Sequence, residues 1–246
     1  RMWDTLIYNN LLRKNIVIPP KTTSHKSSQF EGAYVKEPIL GAHNWVVNFD
    51  LNSLYPHLIM QYNLSPETLI TDELPSELQE IKDARPGVEG LLDQNIDLES
   101  LKKYKLTYTP NNEFYQIGKQ GFLPEMMQQI YDDRVKFKGM MIDVKKKLQK
   151  EKDFNERKEL QKLISKYHNM QLNLKITLNS AFGAMGNQHF RFFDQRVAEA
   201  ITTSGQLSIK WIEKEINRYL NEILKTDDDY VVAVDTDSVY ITMDKL

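Results

Sequence analysis

The sequence predicts an α+β fold, on three observations. Two β-branched runs, 230–234 and 239–242, flank the polar tetrapeptide Asp235-Thr236-Asp237-Ser238 and read as an antiparallel hairpin with carboxylates at its tip. Two long stretches after Pro124 carry apolar residues at a spacing of three to four, the period of a buried helix face. A further helical run follows from about 197 to 224, between those stretches and the hairpin.

Taken in order, residues 1–29 read as a short helix and then a polar connecting segment closing on Pro19-Pro20-Lys21-Thr22-Thr23-Ser24. The run Trp45-Val46-Val47-Asn48-Phe49 reads as a strand, with Asp50 just past its end. Residues 71–120 are short elements punctuated by Pro75, Pro86-Gly87 and Pro110. The first long helix places Met127, Ile130, Tyr131, Val135, Met141 and Val144 on one side; the second does so with Leu160, Leu163, Ile164, Tyr167, Met170, Leu174 and Leu178. A lysine-rich polar link over 145–158 separates them, which predicts an antiparallel pair of helices. The third helix carries Ala200, Ile201, Ser204, Leu207, Trp211, Ile212, Ile216, Tyr219 and Leu220 along one face, and Asp227-Asp228-Asp229 ends it. No internal repeat is present.

At 246 residues the chain makes one large domain or two modest ones and can bury a core without staples. The absence of cysteine excludes disulfides, thiolate zinc sites and thiol nucleophiles, and fits a reducing, cytoplasmic setting. Apolar runs fall far short of the ~20 residues of a membrane span, so no membrane partner is expected. Arg1 at the start and Leu246 a few residues past a strand read as cut ends. The net charge of −2 is uneven: residues 121–188 hold 13 Lys and Arg against 8 Asp and Glu, inside an otherwise acidic body. That points to one region that meets an anion, or to long helices with solvated lysines.

Three groups of residues carry chemistry. Asp235 and Asp237, two apart, bring like charges close enough that one must be protonated unless a cation lies between them; such oxygen ligands suit Mg²⁺ or Mn²⁺. The competing reading is a plain turn, since Asp and Ser are good turn formers. Asp50-Leu51-Asn52-Ser53-Leu54-Tyr55-Pro56 sets an acid at a strand end before a tight turn, with Pro56 biasing Tyr55 towards an extended backbone. Its competing reading is a helix start capped by Asp50 or Ser53. Arg134 and Lys138 on the first long helix, and Lys175 and Asn179 on the second, are each four residues apart. If those faces meet in one cleft, they form a clamp for a polyphosphate. For Lys145-Lys146-Lys147 a solvated face suffices.

These residues bear a resemblance. Asp50 to Pro56 resembles motif A of B-family DNA polymerases, Lys175-Ile176-Thr177-Leu178-Asn179-Ser180-Ala181-Phe182-Gly183 resembles motif B, and Asp235-Thr236-Asp237-Ser238 resembles motif C. Phe30-Glu31-Gly32-Ala33 looks like the element joining exonuclease and palm. Within the family the chain is similar to the T-even-type bacteriophage replicative group, through Gly32 to Pro38, Asn63 to Thr68, Gly118 to Gly121 and Phe190 to Asp194. The likeness covers roughly 30–246, and three ordered motifs make it specific.

The resemblance implies a palm with an antiparallel sheet, interrupted by a helical-hairpin fingers insertion. The divisions are 1–29 connecting segment, 30–120 first palm part, 121–188 fingers and 189–246 second palm part. It implies template-directed addition of deoxynucleotides to a primer 3′-hydroxyl with two Mg²⁺ ions (Mn²⁺ as substitute), held by Asp50, Asp237 and the Leu51 carbonyl, with Asp235 in support. Arg134, Lys138 and Lys175 would grip the β- and γ-phosphates with Asn179 nearby, and amides around Ser53 and Leu54 would cradle them. Tyr55 would stack beneath the deoxyribose as the sugar filter. The implied partners are primer-template DNA, deoxynucleoside triphosphates and a C-terminal palm and thumb region or chain; the setting is the host cytoplasm.

Three positions depart from the family pattern: His57 for Ser, Phe182 for Tyr, and Ala233-Val234 for Tyr-Gly before Asp235. Phe182 removes a hydroxyl that would probe the new base pair, and Val234 adds a side chain where the backbone runs close to the primer end. These departures keep open a split or remnant polymerase, silent alone and acting in assembly or DNA binding. A different two-metal enzyme, such as a nuclease, is the other alternative.

Overall fold

The computed structural model describes residues 2–21, 30–94 and 96–244; Arg1, Asn95, Lys245, Leu246 and the second half of the expected connecting segment, 22–29, lie outside the described residues. From the N-terminus the elements are α1 (Met2–Arg13), β1 (Val35–Lys36), β2 (Val46–Asp50), α2 (Leu54–Tyr62), α3 (Ser76–Ala84), α4 (Gly87–Leu92) and α5 (Glu99–Tyr104). There follow β3 (Leu106–Thr109), β4 (Glu113–Gln116), α6 (Phe122–Lys150), α7 (Phe154–Met185), α8 (Gln195–Leu224), β5 (Val231–Asp235) and β6 (Ser238–Thr242). The fold is α+β, as the sequence predicts.

The main sheet has the order β1-β5-β6-β2, every neighbouring pair antiparallel. The apolar run of β5 and β6 explains its central place. Val231, Val234, Val239 and Ile241 are buried on one side against Ile209 and Leu220 of α8. β2 is one of the two edge strands, and all five of its residues are exposed, the apolar Val46, Val47 and Phe49 included. Asp50 is its last residue rather than the first residue beyond it. β3 and β4 form a separate hairpin over a small core of Leu78, Ile81, Leu101, Tyr108 and Phe114.

α6 and α7 form the antiparallel helical pair, but the expected link over 145–158 is almost entirely helix. Polarity there reflects a hairpin tip surrounded by water, and Lys, Leu, Gln and Glu are all good helix formers. The reversal needs only residues 151–153. Asp153 caps α7 by accepting from the Glu156 amide, and Arg157 donates to the carbonyls of Leu148 (3.0 Å) and Glu151 (2.7 Å), closing the end of α6. On α8 the expected apolar face is partly misassigned: Trp211 and Tyr219 are exposed, while Val197, Ala198 and Ile209 are buried.

The largest core lies where α1, α2, α6, α7 and α8 meet, and it includes Trp3, Ile7 and Leu11. The first residues are therefore structural as well as connecting. Trp3 Nε1 donates to the Ser180 hydroxyl (3.0 Å) and the Thr177 carbonyl (3.2 Å), pinning α1 to α7.

Lys36 ties the opposite edge of the sheet to α8. Its Nζ donates to Glu213 (2.6 Å) and Asp229 (2.5 Å), and the Lys36 and Glu213 side chains are 15% and 16% exposed. Burial opposes the Lys36 charge, but the bonds to Asp229 and Glu213 prevail and hold its pKa above the ordinary lysine value. Burial also works against the Asp229 carboxylate, yet its bonds from Lys36 and Asn217 hold its pKa below the usual range. A raised lysine contributes stability that is lost only as pH climbs through its native pKa. A depressed aspartate contributes stability that is lost as pH falls through its own. Lys36→Met should therefore cost about 1–2 kcal/mol at neutral pH. In denaturant titrations that difference should shrink as pH drops below about 4, where an aspartate begins to protonate.

Candidate active site

Strand register brings the acids of two distant segments together. Asp50 is paired with Ser238 across β2 and β6, and Asp235 with Ser238 across β5 and β6. Residues directly opposite in a sheet point to one face, so Asp235, Ser238 and Asp50 form a row across three strands. The Leu51 amide donates to the Asp237 carbonyl (2.8 Å), and the Ser238 hydroxyl to Asp50 Oδ2 (3.4 Å). Asp235 is exposed and accepts from the Thr236 hydroxyl (3.1 Å). Burial, then the charge of Asp50 and that of Asp235, push the Asp237 carboxyl up, against the opposing pull of Lys175. Among the described residues no group of three or more His, Asp or Glu side chains is gathered tightly enough to hold a metal ion.

The turn between β5 and β6 is not an ordinary one. Thr236 has φ 55°, left-handed for a β-branched residue, where a two-residue hairpin favours glycine or asparagine. Ser53, after β2, is likewise left-handed at φ 58°. Two non-glycine residues in this conformation flank one cleft, the pattern of a site that stores backbone strain.

The cleft is a cavity of about 260 Å³. Asp50, Thr236 and Asp237 form one wall, and the turn Asn52-Ser53 with Leu54, Tyr55 and Pro56 of α2 forms a second. Lys175, Asn179 and Phe182 of α7 form the third, one turn apart along the helix. Tyr55 is helical rather than extended, because Pro56 sits in the first turn of α2, where its missing amide costs nothing. Ser53 precedes α2 but makes no side-chain cap. The Tyr55 ring lies 5.0 Å from that of Phe182, tilted by 56°. Burial, then the Asp237 charge, raises the pKa of its hydroxyl.

Arg134 reaches the same turn from α6. It is 8% exposed, and its Nη1 donates to the Ser53 hydroxyl (3.1 Å) and to Asn52 Oδ1 (3.4 Å). Its Nε is buried without a partner among the described residues. Lys138, one turn onward, is exposed and does not line the cavity. Leu51 packs its side chain into the core beneath the sheet. Val234 also points into that core, 1% exposed, so its extra bulk lies away from the carboxylate row. Asn52 and Thr236 join the site only in the folded chain: Asn52 lines the cavity and accepts from Arg134, and Thr236 lines it with a left-handed backbone.

Comparison with known proteins yields one family model, DNA polymerase family B, which matches residues 3–245. The chain is 32% identical to the DNA-directed DNA polymerases of Escherichia phage RB69 and Enterobacteria phage T4, over the whole of this chain and 30% of each relative. It is 26% identical to the DNA polymerase delta catalytic subunit of Schizosaccharomyces pombe, over 96% of this chain and 19% of the relative. The chain thus spans about 30% of the length of the phage relatives it matches.

Proposed function

The chain belongs to DNA polymerase family B, and from that premise we propose that it is the catalytic segment of a DNA-directed DNA polymerase, joining deoxynucleotides to a primer 3′-hydroxyl. The observation that carries this reading is one cavity with carboxylates on one wall and Lys175 and Asn179 on another, beside a buried Arg134 that has no ion pair among the described residues. Phosphoryl transfer asks for that combination, since its charge-rich transition state is stabilised by positioning and cations.

The donor set suits Mg²⁺ or Mn²⁺: carboxylates and a carbonyl are hard oxygen ligands, and Asp237 is disfavoured as an anion by its burial and then by the charges of Asp50 and Asp235. Asp50, Asp237 and the Leu51 carbonyl would hold two such ions, with Asp235 in support. Bound there, the ions supply a lowered pKa for the primer hydroxyl and neutralisation of the pyrophosphate leaving group.

The remaining steps belong to the chain's own residues. Lys175 and Asn179 face the triphosphate, Arg134 braces the Asn52-Ser53 turn beneath it, and Lys138 extends the cationic edge outward along α6. The amides of Ser53 and Leu54, at the start of α2, add a favourable helix terminus for anions. Tyr55 takes the floor under the deoxyribose, with Phe182 against its ring. In this reading the main sheet with 30–120 and 189–246 is the palm, and 121–188, with the α6–α7 pair, is the fingers. Primer-template DNA lies along the exposed sheet face, a further palm and thumb region completes duplex binding, and the work takes place in the host cytoplasm.

The test is incorporation on a primed template, by the chain alone and together with a segment supplying the rest of the polymerase. Extension in either arm that depends on Mg²⁺ supports the reading; triphosphate binding and extension absent from both would sink it. Extension only in the second arm would mark a subunit that is silent by itself. Tyr55→Ala should narrow the preference for deoxynucleotides over ribonucleotides by about 10–100-fold in kcat/KM, the scale of one steric group. An unaltered ratio would remove Tyr55 from sugar selection.

A further inference from the structure

Gly205 lies in the interior of α8, where glycine costs about 1 kcal/mol relative to alanine. Its place has a steric reason. A Cβ there would sit 2.8 Å from Tyr55 Cε1, 3.6 Å from Cδ1 and 3.8 Å from Leu54 Cδ2. Ordinary carbon contacts are about 3.5–4.0 Å, so the ring would have to retreat by about 0.7 Å or more. Gly205 is buried and does not line the cavity, whereas Tyr55 does; the glycine therefore stands behind the ring. A ring pushed off Gly205 is driven towards the cavity that it lines.

We propose that Gly205 is a positioning residue for Tyr55: by presenting no side chain it lets the ring sit back far enough to admit the sugar of an incoming nucleotide, and so sets the depth of the sugar subsite. This rests on the polymerase reading and on Tyr55 as the sugar floor. It extends sugar selection to a residue on a helix that contributes nothing directly to the cavity wall.

The experiment uses the full chain with whatever segment supports extension, as four proteins: wild type, Gly205→Ala, Tyr55→Ala and the double variant. Gly205→Ala should raise the KM for deoxynucleotides by about tenfold or more with kcat within about threefold, a loss of uniform binding. An acyclic-sugar triphosphate, which needs less depth, should be spared. In the Tyr55→Ala background the same substitution should have no effect on KM, because no ring remains to be displaced. Thermal melts of the four proteins read the contact without activity: the cost of Gly205→Ala should shrink or reverse once Tyr55 is alanine, which also covers a single variant that folds poorly. An unchanged KM in Gly205→Ala, or equal penalties in both backgrounds, overturns the inference while leaving the polymerase reading intact. A wild type that extends nothing in either arm overturns that reading and the sugar role with it, before any variant is compared.

Discussion

Asp237→Ala should reduce nucleotide incorporation by at least about 10³-fold, the rate equivalent of some 4 kcal/mol of transition-state stabilisation. The same change should leave the thermal transition where it is or raise it. Asp237 is pressed by its own burial and by the charges of Asp50 and Asp235, so the wild-type carboxylate works against the folded state without a bound cation. Loss of function with retained or increased stability is the signature of a residue kept for chemistry. Single-turnover incorporation and melting curves, both run with and without Mg²⁺, check the two halves. Added Mg²⁺ should stabilise the wild type more than the variant. Substantial incorporation by Asp237→Ala would remove it from the catalytic set.

Trp3→Ala should cost about 3–5 kcal/mol, the range for a large buried aromatic. The side chain is 3% exposed, and its indole nitrogen holds Ser180 and Thr177 on the stretch of α7 that also presents Lys175 and Asn179. Against a total stability of about 5–15 kcal/mol this is a large fraction. For a domain of this size it is a fall of roughly 6–20 °C in melting temperature. Trp3→Phe, which keeps an aromatic ring but loses the donor and part of the indole's bulk, should recover more than half of it. A Trp3→Ala variant that melts within a degree of wild type would mean that α1 is not integral to the core.

Much of the local structure was legible in the residues. The hairpin of β5 and β6, the bodies of α6, α7 and α8, and the strand that leads into Asp50 and includes it all follow from side-chain periodicity, which depends on neighbours in the chain. The errors have equally local causes. A lysine-rich helix tip looks like a loop because polarity is the same in both, and an X-Pro step looks extended unless the proline falls in the first turn of a helix, as Pro56 does. The short helix read at the start of residues 1–29 is present as α1, but its place in the core is not legible, because Trp3, Ile7 and Leu11 form a short stripe whose partners are nowhere near in sequence.

By itself the sequence determined which chemistry was available: paired acids at a strand tip, cations one helical turn apart, and no thiol. Only the tertiary structure decided how these groups combine. It set Asp50 beside the turn of a hairpin some 188 residues away and turned Val234 inward. It also buried Arg134 against Ser53 and stood a glycine of α8 behind the Tyr55 ring. Spacing along a chain specifies which face a side chain shares; strand register and helix packing, which are contacts between distant segments, specify what that face meets.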